Sequence, residues 1–104
     1  MNDIDNFTWA GCNASLTEHQ IIKSFIATEI QRSVSMADYF IDGLNAAKQG
    51  TDYSLSGAGN GYEFEAKKDG FELETLFPTD ADKPILVSYQ EILEALNEWK
   101  KQLI

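Results

Sequence analysis

Residues 62–77 read YEFEAKKDGFELETLF, and this stretch predicts a β-hairpin around which the rest of the chain is arranged. Asp69-Gly70 lies between two alternating runs and favours a two-residue type I′ turn, in which both central residues have positive φ. That turn would place Glu65 opposite Glu74. Because side chains alternate along a strand, one face of the hairpin is expected to be a core face. Its members are Tyr62, Phe64, Ala66, Phe71, Leu73, Thr75 and Phe77.

The other face of the predicted hairpin is mainly acidic. It carries Glu63, Glu65, Lys67, Glu72, Glu74 and Leu76. Like charges directly opposite each other destabilise a sheet by a few tenths of a kcal/mol or more, so a face built only for stability would alternate the signs. Two interpretations are open: a surface for a positively charged partner, and a solvated face that keeps the protein soluble.

The composition predicts one folded domain over residues 1–104, because 43% of the residues are hydrophobic and twelve are aromatic. Cys12 is the only cysteine. A disulfide within the chain and a cysteine-based zinc site are therefore excluded, which fits a reducing cytoplasm. The sequence has no run of about eighteen apolar residues and no basic start typical of a secretory signal, so no membrane association is expected.

The charge is concentrated in the middle of the chain. The whole sequence has a formal net charge of −9, and residues 52–82 hold eight acids and two bases, which gives −6. Nucleic acids and anionic membranes need Lys and Arg to displace counterions, so neither is expected as a direct partner. A basic protein partner fits this distribution, because opposite charges steer the encounter.

The flanking segments predict the remaining elements. Residues 1–14 form a polar arm, in which Phe7 and Trp9 belong either to a short strand or to an arm packed over the core. Residues 17–48 have apolar residues at helical spacing and form one kinked helix or two helices, with a break near Ser33–Ser35 favoured. A β-meander over 51–77, its first strand at 51–56, a short strand over 85–87 and a helix over 89–103 follow.

Capping boxes are expected before two of the helices, at Ser15–Glu18, with Thr17–Gln20 as a second option, and at Ser88–Glu91. Together the elements predict an α+β fold of two layers. An antiparallel sheet of three to four strands would have the N-terminal helices and the C-terminal helix packed on one face. The acidic face of the hairpin would then be left open.

Residues that could carry catalysis are few. His19 is the only histidine and is expected on a polar side of the first helix, so a metal site through it lacks ligands. A Cys12–His19 pair has no predicted geometry of a nucleophile and its base. The glycines of residues 57–61 lack the Lys-Ser/Thr of a phosphate-binding loop. We therefore expect no enzyme activity, no cofactor and no metal.

The C-terminal half resembles known proteins. An acidic hairpin, a short ILV strand and the capped helix SYQEILEALNEWKKQL, within residues 59–104, recur among small immunity proteins of bacterial toxin systems. The whole chain, beginning MNDIDNFTWAGCNASLTE, resembles the immunity proteins of contact-dependent growth inhibition. This resemblance implies a small cytosolic protein that binds the C-terminal toxin domain of a large delivered effector. Many of those toxins are nucleases, including tRNA nucleases.

The expected role of the acidic face is to pair with Lys and Arg of such a toxin, with Leu76 as an apolar anchor. The candidate partner-binding residues are Glu63, Glu65, Glu72, Glu74, Asp69, Leu76, Asp80 and Asp82. The alternative function is a small acidic adaptor or subunit of a larger complex without a toxin partner. The oligomeric state is left open.

Overall fold

The structure, a computed structural model, describes residues 7–13, 15–76 and 83–104. Three helices and a four-stranded antiparallel sheet form the expected α+β fold, in strand order β1-β2-β3-β4. The helices are α1 (Thr17–Phe25), continued by a π-helical segment (Ile26–Ile30), α2 (Val34–Lys48) and α3 (Tyr89–Leu103). The strands are β1 (Ser56–Ala58), β2 (Tyr62–Lys67), β3 (Gly70–Thr75) and β4 (Ile85–Val87).

The central hairpin forms, but its register differs from the predicted one. The observed pairs are Tyr62–Thr75, Glu63–Glu74, Phe64–Leu73, Glu65–Glu72, Ala66–Phe71 and Lys67–Gly70. The predicted pairing of Glu65 with Glu74 is therefore wrong, because Glu65 faces Glu72. The shift amounts to two residues, so it preserves the alternation and each side chain keeps its face. Phe77, assigned to the core face, lies outside the described residues.

Gly70 explains the shift in register. Lys68 and Asp69 occupy the turn with negative φ, so the turn is not type I′, and Gly70 is the first residue of β3 with φ of +154°. A Cβ at Gly70 would lie 2.7 Å from the carbonyl oxygen of Val87 in β4. Glycine at this position therefore allows the close approach of the neighbouring strand rather than a turn.

The core lies between the helices and one face of the sheet. Phe25 of α1 packs edge-on against Phe40 of α2 and Phe71 of β3, with ring centroids 5.2 and 5.8 Å apart. Phe40 also packs against Phe64 of β2 at 5.0 Å. Edge-to-face contacts of this kind add to the stabilisation from burial. The helices thus cover the apolar face of the sheet, and no helix among the described residues packs on the opposite face.

The N-terminal arm packs over this core instead of forming a strand. Phe7 and Trp9 are buried, and the Phe7 ring contacts the Trp99 ring of α3 edge-on at 5.1 Å. Residues 7–13 contain no strand. Of the two alternatives for the arm, the packed one is therefore correct for the described residues.

The region 17–48 contains two helices, as favoured, but the first helix starts differently from the prediction. Leu16 precedes α1 without a side-chain cap, and the Ser15 amide donates to Asn13 Oδ1 at 2.9 Å. The Ser15–Glu18 and Thr17–Gln20 capping boxes are both wrong, because α1 begins at Thr17 and its N-cap residue is Leu16, which has no side chain that can accept a hydrogen bond. The break lies at residues 31–33, where Gln31 has a φ of +53°.

The starts of the later helices depend on serine caps. Ser33 caps α2 by accepting a hydrogen bond from the Met36 amide at 3.1 Å. Ser88 caps α3 in the same way, with the Glu91 amide at 3.1 Å, as the sequence predicted. The strand predicted over residues 51–56 is wrong, since residues 52–55 form no strand and β1 begins only at Ser56.

The Glu29 side chain joins the helical layer to the sheet. Its carboxylate is 7% exposed and accepts three backbone N–H groups of the β1–β2 turn. Oε1 accepts from Asn60 at 2.6 Å, and Oε2 accepts from Gly61 at 2.8 Å and Tyr62 at 2.9 Å. A Cβ at Gly59 would collide with this carboxylate. The glycine-rich turn therefore does bind an anion, and that anion is a side chain of the same protein.

None of the helices among the described residues has the length and apolar character needed to cross a bilayer.

Replacing Glu29 by glutamine tests this connection. Glu29→Gln keeps the size of the side chain but presents an NH₂ group to N–H donors, so at least one buried amide loses its acceptor. We expect the free energy of unfolding to fall by about 1.5–3 kcal/mol, measured by urea denaturation. Glu94→Gln, an exposed site on α3, is the control. Equal small losses in the two variants would show that the connection does not stabilise the fold.

Candidate functional site

The outer face of the sheet brings together four glutamates from two neighbouring strands. We call Glu63, Glu65, Glu72 and Glu74 the acidic sheet face. One cross-strand row runs from Ala58 of β1 through Glu63 to Glu74. A second row runs from Ser56 through Glu65 and Glu72 to Leu86 of β4. The structure thus groups the four glutamates that the sequence had selected.

Two like-charge pairs lie side by side on this face. Glu63 is directly opposite Glu74, and Glu65 is directly opposite Glu72. Residues opposite each other in an antiparallel pair have Cβ atoms about 4.5–5.5 Å apart, so each pair is repulsive. The four side chains line a shallow depression of about 80 Å³. A volume of that size holds the charged end of one side chain. It is well below the volume of 300 Å³ or more that is typical of a ligand pocket.

Lys67 neutralises part of this charge. Its Nζ donates to Glu72 Oε2 at 3.0 Å. The hydrogen bond to Glu72 and the attraction of that carboxylate raise the pKa of Lys67. No ion pair joins Glu63, Glu65 or Glu74 to another of the described residues. These three carboxylates therefore dominate the potential of the face.

The structure describes two of the other predicted residues, Asp69 and Leu76, and both lie just beyond the ends of the paired strands. Asp69 is exposed at the hairpin tip beside Lys67 and Lys68, so the tip has mixed charge. Leu76 follows β3 and is half-buried, with its amide donating to the Gly61 carbonyl at 3.1 Å. Asp80 and Asp82 lie outside the described residues.

The outer face of the sheet also carries an exposed leucine, Leu86, which is not among the predicted partner-binding residues. Leu86 lies opposite Glu72 and is 43% exposed. The short run Ile85-Leu86-Val87 suggests a buried strand, but alternation within it places the middle residue on the outer face. Selecting Leu86 from the sequence would have required knowing that β4 pairs with β3, and the sequence does not give that pairing.

His19 is buried, so its expected position on a polar side is wrong. The residue is 3% exposed, and its Nδ1 accepts a hydrogen bond from the Asn13 amide at 2.8 Å. Its Nε2 lies 3.3 Å from Glu91 Oε2, and its ring contacts Trp9 at 5.3 Å. Both ring nitrogens are thereby engaged, and neither is directed to Cys12. His19 ties the arm and α3 to α1.

The described residues contain no group of three or more His, Cys, Asp or Glu side chains that could hold a metal ion. Comparisons of the chain with protein-family models, with curated proteins and with solved structures gave no match.

Relieving one like-charge pair should stabilise the protein. In Glu63→Gln the repulsion from Glu74 is lost, and we expect the free energy of unfolding to rise by about 0.3–1 kcal/mol at low salt. High salt should shrink the gain, since exposed charges are screened. Urea denaturation at two salt concentrations measures both effects, with Glu94→Gln as the matched control. A destabilised Glu63→Gln variant would mean that Glu63 has a stabilising partner.

Proposed function

We propose that this protein is a cytoplasmic immunity protein that binds and neutralises a basic toxin domain, of the nuclease class, through its acidic sheet face. The observation that carries the proposal is the pair of adjacent like-charge rows on an uncovered sheet face. The resemblance of the sequence to immunity proteins of contact-dependent growth inhibition supports the same partner, the C-terminal toxin domain of a delivered effector.

The electrostatic cost of the acidic sheet face is the first step of the argument. Opposed glutamates destabilise the free protein, and no ion pair joins Glu63, Glu65 or Glu74 to another of the described residues. A partner that supplies Lys and Arg removes that repulsion on binding. The free protein bears the free energy of this repulsion and the complex does not, so the difference favours binding.

The chemistry of a nuclease matches this requirement. A nuclease holds phosphates with Lys and Arg, so its substrate cleft is basic. A row of carboxylates can occupy such a cleft and compete with the nucleic acid. Complementary charge also speeds association, which suits an inhibitor that must act on a toxin soon after it enters the cell.

Affinity needs an apolar contact in addition to charge, because most binding energy resides in a few well-packed residues. Leu86 is exposed beside Glu72 on the same face and can serve as that anchor. Leu76, the anchor suggested by the sequence, is half-buried beyond the last pair of β3. We therefore assign the larger contribution to Leu86.

Co-expression tests the function directly. The candidate toxin is encoded by the gene immediately upstream. The C-terminal domain of that toxin is expressed with and without this protein. We expect the toxin domain to stop growth, co-expression to restore survival, and calorimetry to give one-to-one binding. Absence of binding would contradict the proposal and favour the acidic adaptor.

Charge reversal tests the surface. The double variant Glu65→Lys with Glu74→Lys should weaken toxin binding by about 10- to 100-fold at low salt and less at high salt. The control double variant Glu94→Lys with Glu98→Lys changes the net charge equally on α3. If affinity is the same for both variants and the unaltered protein, the acidic sheet face is not the interface.

A further inference from the structure

A second concave surface lies on the other side of β1, between α2 and the segment that leads into the sheet. The cavity has a volume of about 310 Å³. One wall is a stripe of α2 formed by Tyr39, Asp42, Gly43 and Ala46, and Asp52 and Leu55 contribute to the other. Spacings of three and four residues place the four α2 positions on one side of the helix. We call this cavity the α2 cleft.

The walls of the α2 cleft are held in place by backbone contacts. A Cβ at Gly43 would lie 3.0 Å from Leu55 Cδ2, so the glycine lets the second wall approach the helix closely. The amide and hydroxyl of Thr51 each donate to the Ala46 carbonyl at 3.0 Å. The segment that carries Asp52 is thereby fixed to the end of α2, and the cleft is preformed.

Three features give the α2 cleft a negative potential. Asp42 of α2 and Asp52 of the loop that follows α2 are both exposed. Hydrogen bonds from the Ser54 hydroxyl and amide lower the pKa of Asp52, so this carboxylate is ionised at neutral pH. The carboxyl end of α2, which ends at Lys48, adds the negative end of the helix dipole. Lys48 is exposed and does not line the cleft.

Tyr39 adds an aromatic surface at the rim. Its side chain is 55% exposed, which is high for a large aromatic residue. Its ring packs edge-on against Phe40, with centroids 5.2 Å apart. An exposed aromatic face attracts a cation, and the planar guanidinium of arginine stacks on such a face while it bonds carboxylates.

We propose that the α2 cleft binds an arginine side chain presented by a basic protein partner. Leu55 and Ala46 would contact the aliphatic stem, Tyr39 would stack on the guanidinium, and Asp42 and Asp52 would accept its hydrogen bonds. The volume is at the lower end for ligand pockets, which suits one side chain. That the arginine belongs to a toxin domain rests on the proposed function, whereas the arginine preference of the cleft does not.

The preference of the α2 cleft for arginine is tested on the full chain with a small probe, N-acetyl-arginine methylamide. The probe is titrated at low ionic strength, and the chemical shifts of the protein's amides are followed by NMR. We expect saturable shifts at Gly43 and Ser54 in the millimolar range. The citrulline analogue, which has nearly the same shape without the charge, should give none. Asp42→Asn and Tyr39→Leu should each abolish saturation, and Glu94→Gln, at an exposed site on α3, should leave it unchanged.

Equal shifts with arginine and citrulline, or no saturable shift with arginine, would overturn the assignment whatever the rescue experiment gives. With a toxin domain in hand, Asp42→Asn together with Tyr39→Leu should weaken the complex about tenfold. If the probe binds and the complex is unaffected, the arginine does not come from that toxin. Failure of rescue with intact probe binding would contradict only the proposed function.

Discussion

The Glu29 carboxylate holds the turn between β1 and β2 against the end of the first helical region, and the relation of the two layers depends on it. Three backbone amides converge on one buried side chain, from Asn60, Gly61 and Tyr62. The π-helical segment that carries Glu29 ends at Ile30, and the positive φ of the next residue, Gln31, turns the chain toward α2. The Gln31 carbonyl in turn accepts from the Trp99 ring nitrogen of α3 at 2.7 Å, so one short segment contacts sheet and helices alike.

The described helices cover the sheet on one side only, and this determines which strand residues lie on the surface. All three helices contribute to the apolar side, and the outer side chains are exposed on β2 and half-buried on β3. The acidic sheet face and the α2 cleft then lie on either side of the edge strand β1, which is exposed at all three residues. Negative charge is therefore presented on both sides of this edge. Such an arrangement suits a basic partner that contacts the protein at more than one place.

Much of the fold could be predicted because it depends on local signals. The stripe of α3 and its cap at Ser88 are encoded within a few residues, and the two alternating runs of the hairpin are equally local. The register could not be predicted from the Asp69-Gly70 pair, since Gly70 is required by the backbone of β4, a strand more than ten residues away in the sequence. The burial of His19 likewise depends on the arm and α3, which local periodicity does not show.

The sequence by itself determined the class of fold, the two faces of the hairpin and the concentration of negative charge on one of them, because alternation and composition are properties of neighbouring residues. Only the tertiary structure decided which glutamates oppose each other, that Leu86 is exposed among them, and that Asp42 and Asp52 meet across a cleft. It also decided that the glycine-rich turn binds Glu29. These outcomes depend on contacts between segments far apart in the chain, and a pattern within one segment does not specify its partner.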